Sequence, residues 1–286
     1  MISFIIVNYN TSDLCDTCIY SIVNNKSIID NHLEYEIIVV DNQSNKNHKK
    51  KLKDLTLKYS NIDLNILELN HNYGFGYANN RGVNISKGDT ICLVNSDVTV
   101  IQTNFEVLIT KLAAPNIGSV SSYILNKNKS FQSLGFSFPK MSSVLIDNVT
   151  FRNFNFRKKY VSINFENKWI DVDWISGCFL LITKRTYEKI NGFDENIFMY
   201  SEDLDLGYKL KNLNLKNTVS KSTYVIHDQK KSVYKKGMFH ILWERKKNYF
   251  YVLKKHNHFN IVEYNLIKLS SYFNLLTICI FKKLTS

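Results

Sequence analysis

Proline is almost missing from this 286-residue chain, which holds 2 prolines and only 10 glycines. That scarcity excludes collagen-like, Pro-rich and Gly-rich low-complexity classes. Cysteine is sparse and odd in number, at five, and no second CxxC or His pair follows Cys15 and Cys18 at zinc-finger spacing. Three residues apart on a helix, those two share a face, so they are assigned to core packing. Met1 runs directly into the strand-like 2–7 without a basic leader or a small-residue cleavage site, which points to a reduced, cytoplasmic protein. No apolar run reaches the ~18 residues of a spanning helix, because 266–281 is interrupted by Lys268, Ser270, Ser271 and Asn274.

Acids are also in short supply, 25 against 37 lysines and arginines, for a formal net charge of +12. A polyanionic partner is favoured, whether nucleic acid, an anionic membrane or a phosphorylated substrate. Nine basic residues between Lys230 and Lys255 face the single acid Glu244, so the basic surface is expected near the C-terminus. Peripheral attachment to the inner face of the cytoplasmic membrane, through 230–255 and the amphipathic 266–281, is expected to be released by salt.

What the chain has is apolar residues: 44%, with 13% aromatic, enough to fold around a core. The runs 3–9 (SFIIVNY), 35–40 (YEIIVV), 64–69 and 89–94 (DTICLV) read as buried parallel strands. Helical spacing of Leu14, Cys18, Ile19 and Ile22, then of Leu52, Leu55, Leu57 and Tyr59, alternates with them. The strands end in polar clusters: Asn8-Tyr9-Asn10, Asp41-Asn42-Gln43-Ser44 and Asn95-Ser96-Asp97. Ligands of open parallel sheets bind outside strand carboxyl ends, so these clusters mark the site. The stretch 126–165 has weak periodicity and reads as an insert over the sheet, a second apolar run spans 174–182, and 238–281 is a helical appendage.

Asp41 can accept from a pyrimidine imide N–H while Tyr9 offers a stacking face; Asp41 or Ser44 can equally start a helix. The stretch Asn72-Tyr73-Gly74-Phe75-Gly76-Tyr77-Ala78-Asn79-Asn80-Arg81-Gly82 lacks the G-x-G-x-x-G spacing of a dinucleotide fingerprint. It permits a close turn, with Asn79, Asn80 and Arg81 as donors and a helix N-terminus facing phosphate or sugar oxygens. Ser201 is a candidate N-cap, with Glu202, Asp203 and Asp205 behind it. At the helix start an ionised carboxylate is favoured.

Together with Trp174-Ile175-Ser176-Gly177, Phe193-Asp194-Glu195 and His227, these motifs resemble the family 2 glycosyltransferases of the GT-A fold, and their rhamnosyltransferase-type branch in particular. The resemblance covers roughly 2–232. It implies an α/β, Rossmann-like, mixed and mostly parallel sheet flanked by helices. A GT-A domain over 1–227 is expected, divided into a nucleotide-binding half (1–97) and an acceptor-binding half (98–227), with a basic helical extension over 228–286. The resemblance also implies an inverting, metal-dependent transfer of a sugar, rhamnose among the candidates, from a dTDP- or UDP-sugar. The acceptor is a hydroxyl of a glycan or lipid-linked molecule in bacterial surface polysaccharide synthesis.

Carried over residue by residue, Asp203 is the base and Glu202 its neighbour. Asn8, Tyr9, Asn10, Asp41, Asn72, Gly74, Phe75, Asn80, Arg81, Asn95, Ser96 and Gly177 bind the nucleotide-sugar. Asp97 and His227 hold Mg²⁺ or Mn²⁺. The family's DXD motif begins here with Asn95, so Asp97 is the motif's one carboxylate for a hard cation. A nucleotidyltransferase, the runner-up enzyme, usually carries a Gly-rich signature early in the chain, and none is seen near residues 8–13. A non-catalytic nucleic-acid-binding protein would set Asp41, Asp97, Glu202 and Asp203 against phosphate, so nucleic acid is not the expected partner. An inactive scaffold of the same fold is the other alternative.

Overall fold

The computed structural model describes residues 1–133, 135–149, 168–228 and 238–285. Strands and helices alternate through the first part: β1 (Ile2–Asn8), α1 (Ser12–Val23), α2 (Lys26–Asp30), β2 (Tyr35–Asp41), α3 (Lys46–Lys58), β3 (Leu64–Glu68), α4 (Phe75–Ile85) and β4 (Thr90–Asn95). The second part runs β5 (Val98–Thr99), α5 (Phe105–Leu112), β6 (Ile117–Leu125), β7 (Phe131–Ser133), α6 (Met141–Val149), β8 (Trp169–Val172), β9 (Phe179–Thr183), α7 (Lys184–Lys189), α8 (Glu202–Asn212) and β10 (Lys216–His227). Two helices close the chain, α9 (Met238–Lys255) and α10 (Ile261–Thr285).

Among the described residues the strands form one mixed sheet in the order β3-β2-β1-β4-β9-β6-β10-β5, with β7 beside β6 and β8 beside β10. The first four are parallel throughout, as expected for strands covered on both faces. The second part mixes orientations: β9 is antiparallel to β4 and β6, while β10 is parallel to β6 and antiparallel to β5 and β8. The order 3-2-1-4 reverses direction between β1 and β4, and that switch point opens a crevice at the ends of these strands.

Alternation along β1 sends Phe4 and Ile6 to one core layer with Cys18, Ile37 and Phe105. Ile5 goes to the other, with Val40, Ala78 and Phe193. Cys18, Ile19 and Ile22 are fully buried on one face of α1, as their spacing predicts, with Cys15 beside them, whereas Leu14 of the same expected set is only half-buried. Leu57 departs from its expectation: it is 77% exposed, because α3 turns only Leu52 and Leu55 inward.

The extension does not pack as a separate body. Tyr249, Phe250, Val252 and Leu253 of α9 and Ile267 of α10 share a buried cluster with Trp174, Ile197, Leu204 and Tyr208. Of the expected insert, 134 and 150–165 lie outside the described residues, as do Lys230, Lys231, Lys235 and Lys236.

Candidate active site

Three strand ends meet at the switch point. Asn8, at the end of β1, donates through Nδ2 to Asp41 Oδ1 and Ser44 Oγ, each at 2.9 Å, and accepts from Thr11 N at 3.2 Å. Asp41, with no exposed surface, takes Ser44 N on its other oxygen at 3.1 Å. Asn10 adopts a left-handed conformation (φ 57°), donates its N–H to Ser44 Oγ at 2.8 Å and accepts Asn45 N at 2.8 Å. The result is a turn whose polar atoms are satisfied internally. Neither Asp41 nor Ser44 caps α3: the cap is Asn45, whose side chain accepts from Asn47 N and His48 N. Tyr9 is partly buried beside this turn.

Asn42 ties the end of β2 to the loop before α4. Its Nδ2 donates to Asn72 Oδ1 at 2.9 Å and Gly74 O at 3.1 Å, and its Oδ1 accepts Tyr73 N at 3.1 Å. Gly74 is required there: its φ is 96°, and a side chain would collide with the Phe198 carbonyl. Phe75 N then donates to that same carbonyl at 2.9 Å. Asn80 and Arg81 lie one turn further along α4, on a different face. Asn80 Nδ2 reaches Phe193 O and Glu195 Oε1, both at 3.0 Å, and its Oδ1 accepts Tyr187 Oη at 2.6 Å. Arg81 pairs with Glu195 at 3.0 Å and lies over the Tyr77 ring at 4.2 Å. Asn79 Nδ2 returns to Phe75 O. The donors read as facing phosphate therefore have partners within the chain: Asn80 and, through a surface ion pair, Arg81 anchor the 193–195 loop, and Asn79 bonds its own helix.

Beyond β4, Ser96 Oγ meets Thr11 Oγ1 at 3.0 Å. Antiparallel pairing sets His227 opposite Val98, and this brings His227 Nε2 to 3.3 Å from Asp97 Oδ1. His227 Nδ1 is 3.2 Å from Gln132 Oε1. Burial works against a charged imidazole, but Cys178 and Asp97 beside it favour the charge, and its pKa rises to about 10. Asn95 Oδ1 and Gln132 Nε2 are buried here and have no hydrogen-bond partner among the described residues.

A carboxylate and an imidazole in contact, beside the Asn95 amide oxygen, suit a divalent cation once the imidazole gives up its proton in exchange for the metal, the remaining oxygens coming from a ligand and water. Among the described residues no group of three or more His, Cys, Asp or Glu could hold a metal without such help.

The next element fixes the two carboxylates. Asn95 N donates to Cys178 O at 2.9 Å, and the neighbouring Gly177 N lies 3.4 Å from Asp203 Oδ2. A side chain at Gly177 would press on Phe75 at 3.3 Å. Leu204 N donates to Asp203 Oδ1 at 2.9 Å. Tyr200 and Ser201 enter α8 in consecutive left-handed conformations, φ 70° and 72°, a strained approach of the kind that clusters at functional sites. Ser201 holds the N-cap position but its side chain makes no capping bond.

The helix start alone favours an ionised Asp203. In the fold burial outweighs it, raising the pKa of Asp203 against the opposing pull of its amide donors and Arg245. Burial first, and then the Asp203 charge, raise Glu202 as well. Asp205 plays a structural part instead, meeting His256 Nε2 and Lys255 Nζ, both at 2.8 Å, and so fastening α9 to α8.

Arg245 of α9, stacked on Tyr200 at 4.3 Å, is close enough to act on both carboxylates. In sequence it is one basic residue among nine. Gln132 and Cys178 carry no local signal at all.

Known proteins with similar sequences and structures agree with this architecture. Rhamnosyltransferase WbbL of Escherichia coli K12 is 26% identical over 270 residues, covering 89% of this chain and 94% of that protein. The N-acetylglucosaminyl-diphospho-decaprenol L-rhamnosyltransferase of Mycobacterium tuberculosis is 31% identical over 86 residues, 30% of this chain and 28% of that one. The solved mannosyltransferase PcManGT of Pyrobaculum calidifontis, in complex with GDP-Man and Mn²⁺, matches with a TM-score of 0.60 at 14% identity, over 96% of this chain and 69% of that one. The fold is therefore of the GT-A type. The profile of Glycosyl transferase family 2 matches residues 3–184, well over half the chain, and the protein belongs to that family.

Proposed function

We propose that the chain transfers a sugar, with inversion, from a dTDP- or UDP-sugar to a hydroxyl of a glycan or lipid-linked acceptor in surface polysaccharide synthesis. The observation that carries this reading is the placement of Asp203. Its carboxylate is set by the Gly177 and Leu204 amides, with burial raising its proton affinity, and it lies one residue across from Cys178, which contacts Asn95.

An acceptor hydroxyl beside Asp203 loses its proton to that carboxylate as it attacks the anomeric carbon, and the donor carbon–oxygen bond breaks toward the diphosphate. Glu202, with its own raised pKa and its Oε2 buried without a partner among the described residues, orients the hydroxyl or the base. Arg245 supplies positive charge next to the pair.

The base end of the donor falls to Tyr9 and the turn built by Asn8, Asn10, Asp41 and Ser44. Asn72, Gly74 and Phe75 line the neighbouring loop. Asp97 and His227 would hold Mg²⁺ or Mn²⁺, with Asn95 and Ser96 flanking them. The cation supplies charge that stabilises the departing diphosphate.

Rhamnose as the sugar is supported by the resemblance to WbbL along nearly the whole chain. The same reading assigns 1–97 to the nucleotide and 98–227 to the acceptor, and gives 228–286 a peripheral attachment to the inner face of the membrane.

The test is a thermal-shift screen of UDP, dTDP and GDP with Mn²⁺, followed by transfer from the sugar of the nucleotide that binds. Stabilisation by pyrimidine nucleotides and a product of inverted anomeric configuration by NMR are expected. Equal stabilisation by GDP would remove the pyrimidine assignment, and a retained configuration would remove Asp203 as base.

A further inference from the structure

We infer that α10 is an interfacial helix that inserts the side chains of Val262, Leu266, Leu269, Phe273 and Leu276 into the headgroup–acyl boundary of an anionic bilayer. This rests on, and makes specific, the peripheral attachment proposed above. Read as sequence, Ser270, Ser271 and Asn274 merely interrupt an apolar run. In the fold they are the inward face.

Asn148 of α6 donates to Ser270 Oγ at 2.9 Å and Ser271 Oγ at 2.8 Å, and Asn274 Nδ2 returns to Asn148 O at 2.7 Å. Ile267 and Leu275 are buried on the same side. These bonds fix the rotation of the helix, so its other side cannot turn inward. That side carries Val262 (64% exposed), Leu266 (48%), Leu269 (71%), Phe273 (67%) and Leu276 (58%). Their spacing of four, three, four and three residues sets them on one stripe, and none of the five is charged. A continuous exposed apolar stripe on a water-soluble surface marks an interaction site.

Charge selects the occupant. Residues 228–286 hold twelve lysines and arginines against three acids. Two copies meeting through α10 would bring two strongly basic segments together, whereas an anionic lipid surface is attracted to one. Trp243, 40% exposed, stands beside the helix against Tyr272 at 5.4 Å, the type of residue that settles at a membrane interface.

Binding therefore has an apolar part that salt does not screen, in contrast to the salt-released attachment that the sequence charge alone predicts. Flotation of the full chain with phosphatidylcholine–phosphatidylglycerol vesicles, at 0.1 and 1 M NaCl, separates the two parts. The wild type is expected to float at low salt and to remain partly bound at high salt. The variant Leu269→Glu/Phe273→Glu should lose more than tenfold in partitioning at both, with unchanged Tm. In the wild type, Trp243 fluorescence should be quenched by brominated acyl chains, and a Trp243→Phe control should lose that signal.

Wild-type-like binding by the double variant, complete release of the wild type by salt, or no quenching overturns the proposal. So does a wild-type dimer that the variant converts to monomer, since a second copy would then cover the stripe. Vesicle binding needs neither donor nor acceptor, so its outcome is independent of the catalytic reading.

Discussion

The two sides of the site are built on opposite principles. At the ends of β1 and β2, the side chains of Asn8, Asn10, Asp41, Asn42, Ser44 and Asn72 bond to one another or to nearby backbone. Across the switch point, Asn95 Oδ1, Gln132 Nε2 and Glu202 Oε2 are buried without a partner among the described residues, and burial raises the proton affinity of Glu202 and Asp203. Buried polar atoms are nearly always paired, so a concentration of unpaired ones marks where something else must arrive. A satisfied network is a rigid seat. An unsatisfied one stores free energy that a ligand or a transition state releases, and the contrast separates holding the donor from acting on it.

The contrast breaks most visibly at Asp203. Asp203→Asn keeps the size and the amide contacts but removes the proton acceptor, so transfer should fall by roughly 10²–10⁴-fold, with donor affinity by calorimetry little changed. Glu202→Gln serves as the companion, and an unchanged rate in both variants would be falsifying for base catalysis here.

On the seat side the expected loss is stability instead. Asn42→Ala removes three hydrogen bonds that join β2 to the loop before α4, and urea denaturation should show a loss of about 1.5–3 kcal/mol. Turnover per folded, donor-saturated molecule should survive.

Asp97→Ala tests the boundary between the two sides. UDP binding in Mn²⁺ should weaken about tenfold, or ~1.4 kcal/mol, and in EDTA wild type and variant should bind alike. Equal affinities in Mn²⁺ would take Asp97 out of any cation site.

The smallest effect is on Tm. Because the folded state holds the Glu202 and Asp203 protons more tightly than the unfolded chain does, this pair's contribution to stability declines as pH rises through their raised pKa values. Asp203→Asn should therefore raise Tm at pH 8.5 more than at pH 5. The wild-type rate should move the other way, increasing with pH as the base ionises.

Strand ends are the legible part of this protein. A buried parallel strand announces itself as an apolar run, and the polar residues that stop it must stand at the sheet edge, so Asn8, Asp41 and Asn95 can be placed from local pattern. Asn80 and Arg81 cannot, because the direction a helical side chain takes depends on the rotation of α4, and their partner Glu195 is more than a hundred residues away. The proton affinity of Asp203 escapes the sequence for a related reason: the helix start is visible there, whereas the burial that outweighs it comes from distant segments. Arg245 needs the packing of α9 on α8, which sequence shows only as an amphipathic stretch.

Gly177 and Cys178 touch Asp203 and Asn95 respectively, so a single peptide unit spans the distance between the residue assigned to proton transfer and the motif assigned to the diphosphate. Consecutive Cα atoms are about 3.8 Å apart, and one inserted or deleted residue at this joint would misalign the two by about that amount. Length changes there are forbidden to any descendant that stays active.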